Sequence, residues 1–480
     1  MRAVYRSPYA GSWYPGEAGE LRDLLDELFR ESERRTGRWV REGAYACLAP
    51  HAGLVYSGAI AAAACRHLAR RNPAVAVILG FDHGRRRRGI AIAGLDAYLT
   101  PLGEVAVDRD TADRLTQSAG CERVPVERLS DHSVEIQLPL LQWAMPGIRV
   151  VPVYAGDLGP AERERAADAL ASLPDDTVLL ASSDLTHYGR DFHYLPFPAD
   201  SRLEDNLRRL DAASLEAAGT LEACEFLDEL DRTGATVCGR APLSLLLETM
   251  KRKAGAEVFQ DLLDYRTSLE ITGAAGSSVS YAAAAYFPAD AFALEAGEAD
   301  ALLEAARESL DAYARNGPRH PAARKARSAK HSAPGVFVTL RHKGRLRGCV
   351  GRVQGAEALS ECVPELALAA ALDDARFAPV ARAECGELDL EISVLTPRKL
   401  IRGAEKFQAG VHGAMLERGS CRGLLLPQVG RREGWSRVRF LRALAVKAGL
   451  AEEEWEAPGA KLSIFQAFEY EQKTARNYGI

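Results

Sequence analysis

One feature of this sequence constrains its fold more than any other. Short apolar runs of strand length alternate with amphipathic stretches at helical spacing through the first part of the chain. Residues 44–49, 75–79, 148–154 and 177–181 read as short buried strands, and 59–70 and 161–173 as helices. Leu21, Leu24, Leu25 and Leu28 add a further helical stripe. This alternation predicts an α/β domain, a mostly parallel sheet flanked by helices. The polar residues of interest follow the apolar runs directly: His51, His83 and the segment 182–187. Open α/β sheets build their sites at the carboxyl ends of strands, so these loops are expected to converge on one site.

The pattern changes after Phe287-Pro288. Residues 289–313 read as an Ala-, Glu- and Leu-rich helix. The stretch 316–331 then carries Arg319, Arg324, Lys325, Arg327 and Lys330 with no acid, which reads as a solvated segment. Beyond it come strand 336–340, a turn at Lys343-Gly344, helix 359–372 and strand 388–395. A second, smaller α+β domain is expected. At about 150 residues per domain the 480 residues suggest three domains, but the single change of pattern argues for two, 1–290 and 291–480.

Composition closes off several function classes. A net charge of −5 argues against bulk electrostatic binding to nucleic acid. No apolar run approaches the roughly 18 residues of a membrane helix, and the segment Met1-Arg2-Ala3-Val4-Tyr5 lacks the apolar core of a signal peptide. A cytoplasmic protein acting on a small molecule is the expectation. The nine cysteines form no CxxC pair, so a zinc ribbon or a thioredoxin-type motif is not indicated. Most of them read as packing residues.

Six of the ten histidines fall between His51 and His193. Local motifs cluster with them: Gly11-Ser12-Trp13-Tyr14-Pro15, Pro50-His51-Ala52-Gly53, Gly80-Phe81-Asp82-His83, Asp131-His132-Ser133-Val134-Glu135, Ser183-Asp184-Leu185-Thr186-His187 and Val237-Cys238-Gly239-Arg240. Imidazole, thiolate and carboxylate are the usual ligands of iron, copper and zinc. His67 and His193 read as structural. Singly each motif is weak; together, on strand ends that a parallel sheet gathers, they point to a metal site.

The ordered set of motifs, with Cys238-Gly239-Arg240 followed by Ala241-Pro242-Leu243, resembles the Memo family over roughly residues 1–290. That resemblance implies a fold like that of class III extradiol dioxygenases of the LigB type. It implies metal ligation by His51, His83 and Cys238, with His132, His187 and Asp184 lining the same cleft. Asp82 and Leu54 depart from the family's usual residues. A soft thiolate in the third ligand place favours iron, copper or zinc. His132 and His187 are then general acid/base candidates, imidazole titrating near neutrality. Ser182 and Ser183 are candidates to orient them, and Trp13 and Tyr14 to wall the cleft.

Leu346-Arg347-Gly348-Cys349-Val350-Gly351 is similar to the signature of the AMMECR-type domain. Further matches occur at Val336–Leu340, Asp374-Ala375-Arg376-Phe377, Glu391–Leu395, Leu425–Val429 and Lys447–Leu450. The resemblance covers about residues 295–480. Gly348 and Gly351 suit a tight turn or close backbone approach. Cys349 is a candidate reactive thiol whose thiolate the neighbouring Arg347 would favour. Cys362, Cys385 and Cys421 read as packing residues. Chains joining both modules resemble components of the AmmeMemoRadiSam system. This implies a separate radical SAM partner, because no CxxxCxxC cluster motif is present here. The expected activity is a metal-dependent oxidoreductase using non-haem iron, alternatively copper. A non-catalytic scaffold that uses the old cleft for a peptide, and a zinc-dependent hydrolase, are the rival readings.

Overall fold

The computed structural model describes residues 2–85, 87–274, 276–317, 334–353 and 358–473. The basic residues Arg319, Arg324, Lys325, Arg327 and Lys330 lie outside them. The chain divides into two compact units, Met1–Pro288 and Ala289–Ile480.

The first unit is built on a nine-stranded sheet. Its spatial order is His187–Gly189, Ser277–Pro288, Ala46–Ala49, Thr177–Ser182, Val75–Gly80, Arg149–Ala155, Ile90–Gly94 and Glu122–Pro125, with Val258–Thr267 paired to Ser277–Pro288. The centre is parallel: Ala46 faces Leu179, Val75 faces Thr177, and Val75 also faces Arg149. Antiparallel pairs extend it on both sides, Ala284 against Leu48 and Ile90 against Ala155. The central strands are buried along their whole length, as parallel strands covered on both faces must be.

Helix Leu54–Ala69 starts five residues earlier than the apolar pattern suggested, because Gly53 supplies the N-cap and Leu54 is fully buried. Its run of small residues lets it lie close to its neighbours; a Cβ on Gly58 would stand 2.6 Å from Leu28 Cδ1. Helix Arg240–Ala254 is fixed by Leu243, Leu245, Leu246, Leu247 and Met250, each 0% exposed. Full burial of such a side chain contributes about 1.5–3 kcal/mol, so the helix start, and Cys238 just before it, are held firmly.

The second unit has two four-stranded antiparallel sheets. In the first, Gly335–His342 lies between Arg345–Arg352 and Leu388–Leu395. Helices Ala296–Asn316 and Leu359–Leu372 share a core with it through Leu302, Leu310, Val363 and Ala367. The expected helix over 289–313 begins only at Ala296, after a separate turn at Ala289–Phe292. Gly348 and Gly351 lie inside the strand Arg345–Arg352, not in a turn. Both serve close packing: a Cβ on Gly348 would collide with Ala370 O, and one on Gly351 with the Phe337 ring.

All nine cysteines are free. Cys47, Cys65, Cys121, Cys362 and Cys385 are buried, as packing residues should be, but Cys224 is exposed and Cys421 half-buried. Cys224 sits on the solvent side of helix Ala223–Thr233, whose buried face is Ala223, Phe226 and Leu230. Among the described residues no helix is long and apolar enough to cross a membrane.

Candidate metal centre

Three parallel strands deliver their carboxyl ends to one edge of the sheet. His51 follows Ala46–Ala49, His83 follows Val75–Gly80, and Ser183, Asp184 and His187 follow Thr177–Ser182. His132 arrives differently, as the first residue of the short helix His132–Glu135, which Asp131 caps through Ser133 N–H. Cys238 stands just before helix Arg240–Ala254. A helix N-terminus favours negative charge, hence a thiolate. Gly239 is required there, because a Cβ would come within 2.5 Å of Ser183 Oγ and 2.8 Å of Ser182 O.

These segments bring three groups of ligating atoms together, each within 4.8 Å: His51 with His83 and Cys238; His83 with Asp131 and His132; Asp184 with His187 and Cys238. In the first group His51 Nε2 lies 3.1 Å from Cys238 Sγ. Two ligands of one tetrahedral ion, at about 2.0 Å for nitrogen and 2.3 Å for sulfur, stand roughly 3.5 Å apart. The pair is therefore within a few tenths of an ångström of the spacing of two ligands on one ion.

The outer partners set the ring nitrogens. His83 Nδ1 lies 2.9 and 3.1 Å from the two Asp131 carboxylate oxygens, and His83 N–H donates to Asp131 at 2.9 Å. A proton on Nδ1 satisfies this carboxylate and leaves Nε2 with its lone pair, the usual arrangement behind a ligating histidine. His51 Nδ1 lies 3.0 Å from Ser182 Oγ, which also accepts from Gln137 Nε2 at 2.9 Å. His187 Nδ1 donates to the carbonyls of Leu185 and Thr236, at 3.0 and 3.1 Å. Cys238 Sγ accepts from Asp184 N–H at 3.2 Å.

Burial dominates the electrostatics of the site. Burial pushes the His51 imidazole well below its ordinary range, with His132 and His83 adding to the effect. Burial likewise brings His132 down to about 4. It is neutral at pH 7 and does not titrate near neutrality as the sequence suggested, because it is enclosed between the Trp13 and His83 rings. Those stacks have centroid distances of 4.2 and 4.0 Å. Burial raises the Asp184 carboxyl, against the pull of His187. Burial and the Asp184 charge raise the Cys238 thiol. A cation bound among these groups would offset both penalties.

All the first-unit candidates, His51, His83, His132, Asp184, His187 and Cys238, therefore lie together. Ser182 and Ser183 orient a different pair from the one expected. Ser182 holds His51, and Ser183 lies 3.8 Å from Cys238 Sγ and accepts Gly239 N–H at 2.9 Å, because the strand they end leads directly beneath those two residues. Trp13 walls the cleft, whereas Tyr14 is buried in the core. Asp82 accepts Gly84 N–H in an exposed turn. His67 bonds Ala63 O within its own helix, and His193 adopts a left-handed backbone.

Cys349 belongs to the second unit. Its Sγ accepts from Thr339 Oγ1 at 3.3 Å, and burial raises the thiol. Arg347 is not its partner. An irregularity opposite Leu340/Arg341 turns Arg347 away, onto Glu384 at 3.1 Å. The cations that favour its thiolate are Arg376 and Lys447.

Sequence reasoning passed over three contributors. Asp131 was visible as the acid beside His132. Gln137, a buried amide in an apolar helix, links Pro50 O and Ser182 Oγ. The third is basic: a cavity of about 900 Å³ opens from His83 and Cys238 and is lined by Arg85, Arg87, Arg88, Arg163 and Arg240 against Asp82, Asp157 and Glu162. The four-arginine run 85–88 after His83 was its signal.

The family described as Memo-like protein matches residues 6–285, and the AMMECR1 family matches 303–470. A MEMO1 family protein of Thermococcus onnurineus is 31% identical over 289 residues, 57% of this chain and 96% of the relative. Protein MEMO1 of Xenopus laevis is 30% identical over 295 residues, 59% of this chain and 98% of its own length. A crystal structure of an uncharacterized protein from Pyrococcus horikoshii is 33% identical, with a TM-score of 0.36, covering 38% of this chain and 95% of that one. With more than half its length matched, this chain belongs to the Memo family and carries an AMMECR1 domain after its Memo-like part.

Proposed function

We propose that the Memo-like unit is a metal-dependent oxidoreductase whose ion is held by His51, His83 and Cys238. The observation that carries this reading is the 3.1 Å approach of His51 Nε2 to Cys238 Sγ, with His83 in the same group. The donor set, two imidazoles and one thiolate, suits iron or copper, with zinc as the redox-inert alternative. When bound, iron or copper supplies one-electron chemistry and positions open to small ligands.

The protein's own groups divide the remaining work. Asp131 and Ser182 fix the rings of His83 and His51. Trp13 and His132 close one side of the cleft and exclude water. His132 accepts hydrogen bonds as a neutral ring. Asp184 and His187 stand beside Cys238: burial raises the Asp184 carboxyl, and His187 Nδ1 donates to the Leu185 and Thr236 carbonyls, which turns Nε2 to the cleft as an acceptor. The five arginines lining the adjoining cavity favour an anionic small-molecule substrate. The joined Memo and AMMECR1 domains support a place beside a radical SAM protein, and nine free cysteines suit a reducing, intracellular setting.

The test is metal content and oxygen sensitivity of protein purified anaerobically. Wild type should carry close to one iron or copper per chain, and His51→Ala, His83→Ala and Cys238→Ser should lose it. Equal, substoichiometric metal in all four proteins would sink the proposal. Stoichiometric zinc with no oxygen-dependent spectral change would replace it with the hydrolase reading. Normal partner capture by metal-free variants would favour the scaffold.

A further inference from the structure

The second unit contains a cavity of about 360 Å³, within the size range of small-molecule sites, with Cys349 in its wall. Three features of its lining point to a ligand. The first is a buried amide with one end unused. Gln428 is 3% exposed, and its Nε2 donates to Glu391 Oε1 at 3.0 Å and Ser393 Oγ at 2.9 Å. Glu391 is an acceptor, so the amide nitrogen must face it, and Oε1 is left without a hydrogen-bond partner. A buried carbonyl with no donor is costly, and Gln428 is one of the residues that line this cavity.

The second feature is charge. Arg341, Arg376, Arg432 and Lys447 line the cavity against only Asp374 and Glu391. Arg376 pairs with Asp374 at 2.6 Å and Arg432 with Glu391 at 2.7 Å. No carboxylate among the described residues lies within ion-pair distance of Lys447, so this ammonium is the one left to receive an anion. The third feature is an apolar wall of Phe337, Leu424 and Leu426.

We propose that this cavity binds a small organic acid that also carries an N–H or O–H donor. Its acid group meets Lys447 and Arg376 beside Cys349, its donor meets Gln428 Oε1, and its carbon body lies on Phe337, Leu424 and Leu426. The site is separate from the metal centre and stands whether or not that reading holds.

Cys349 provides the readout in the full-length protein. Alkylation by iodoacetate, an acid, is compared with neutral iodoacetamide at the Cys349 peptide by mass spectrometry. Exposed Cys224 serves as the internal reference. A change in thiolate fraction moves both reagents equally, so their ratio isolates attraction of the acid. One unit charge at ~4 Å in water should favour iodoacetate roughly fivefold at Cys349 relative to Cys224. Lys447→Gln should return the ratio to that of Cys224. N-acetylglycine should slow Cys349 labelling in wild type, and Gln428→Leu should weaken that protection. Equal ratios at the two cysteines, a ratio unmoved by Lys447→Gln, or no labelling of Cys349 by either reagent would overturn the proposal.

Discussion

Replacing Asp131 by Asn tests the metal centre without touching a ligand. The Asp131 carboxylate accepts from His83 Nδ1 at 2.9 Å, from His83 N–H at 2.9 Å and from Ser133 N–H at 2.8 Å. Burial acts to raise this carboxyl, but the hydrogen bond from His83, the neighbouring imidazoles and the Ser133 N–H outweigh it and hold it at about 2. Asparagine keeps one acceptor oxygen. If that oxygen caps Ser133, the amide NH2 faces the His83 backbone N–H, donor against donor. The charge that holds the His83 ring is lost in either orientation. Losing such an outer carboxylate typically costs 10–100-fold in metal affinity, or about 1.4–2.7 kcal/mol. Asn caps helices about as well as Asp, so the fold should survive. The assay is chelator competition with ferrous iron under anaerobic conditions, with thermal melting of the apo-proteins alongside. Asp82→Asn is the control, since among the described residues the Asp82 carboxylate accepts only from Gly84 N–H, in an exposed turn. Wild-type affinity in Asp131→Asn, with an unchanged melt, would refute the role given to His83.

Two further outcomes follow from packing and burial. Gly239→Ala should push Ser183 and Cys238 apart, costing about 1–3 kcal/mol as an overpacked site and removing the metal; a melt and metal stoichiometry equal to wild type would contradict the close approach. Glu135 is fully buried with Oε2 unpartnered, and burial raises its carboxyl to about 7 despite the Ser130 hydrogen bond. A folded-state value above the unfolded one means the folded protein binds the extra proton. Stability is therefore intact below about pH 4.3 and is lost as pH rises towards 7, by up to roughly 3 kcal/mol. Glu135→Gln should remove that loss, so urea unfolding at pH 8 should show it more stable than wild type, with the gap closing near pH 4.

Most of the ingredients were legible in the sequence. Continuous apolar runs and helical patterning marked the strands and helices, because burial on both faces of a strand, or on one face of a helix, leaves its trace in residue order. The helix Leu359–Leu372 and the strand Leu388–Leu395 fall where the pattern put them. His51 and His83 stood out because glycine, proline and acid neighbours at strand ends have no packing reason to surround a histidine, and the family resemblance added Cys238 to them. Sequence order also bore the family resemblance that the comparisons show. What it does not carry is the pairing of distant segments. That Ser182 holds His51, that Asp131 holds His83, and that a ring stack keeps His132 neutral all depend on which loops the parallel strands set side by side. Arg347 is the clearest case. It is two residues from Cys349, the spacing that shares one face of a regular strand, and one irregularity in the ladder sends it to Glu384 instead. Residue types and local periodicity are properties of neighbours in the chain. Protonation, tautomer and the partner of a charge are set by neighbours in space, and only the tertiary structure decides those.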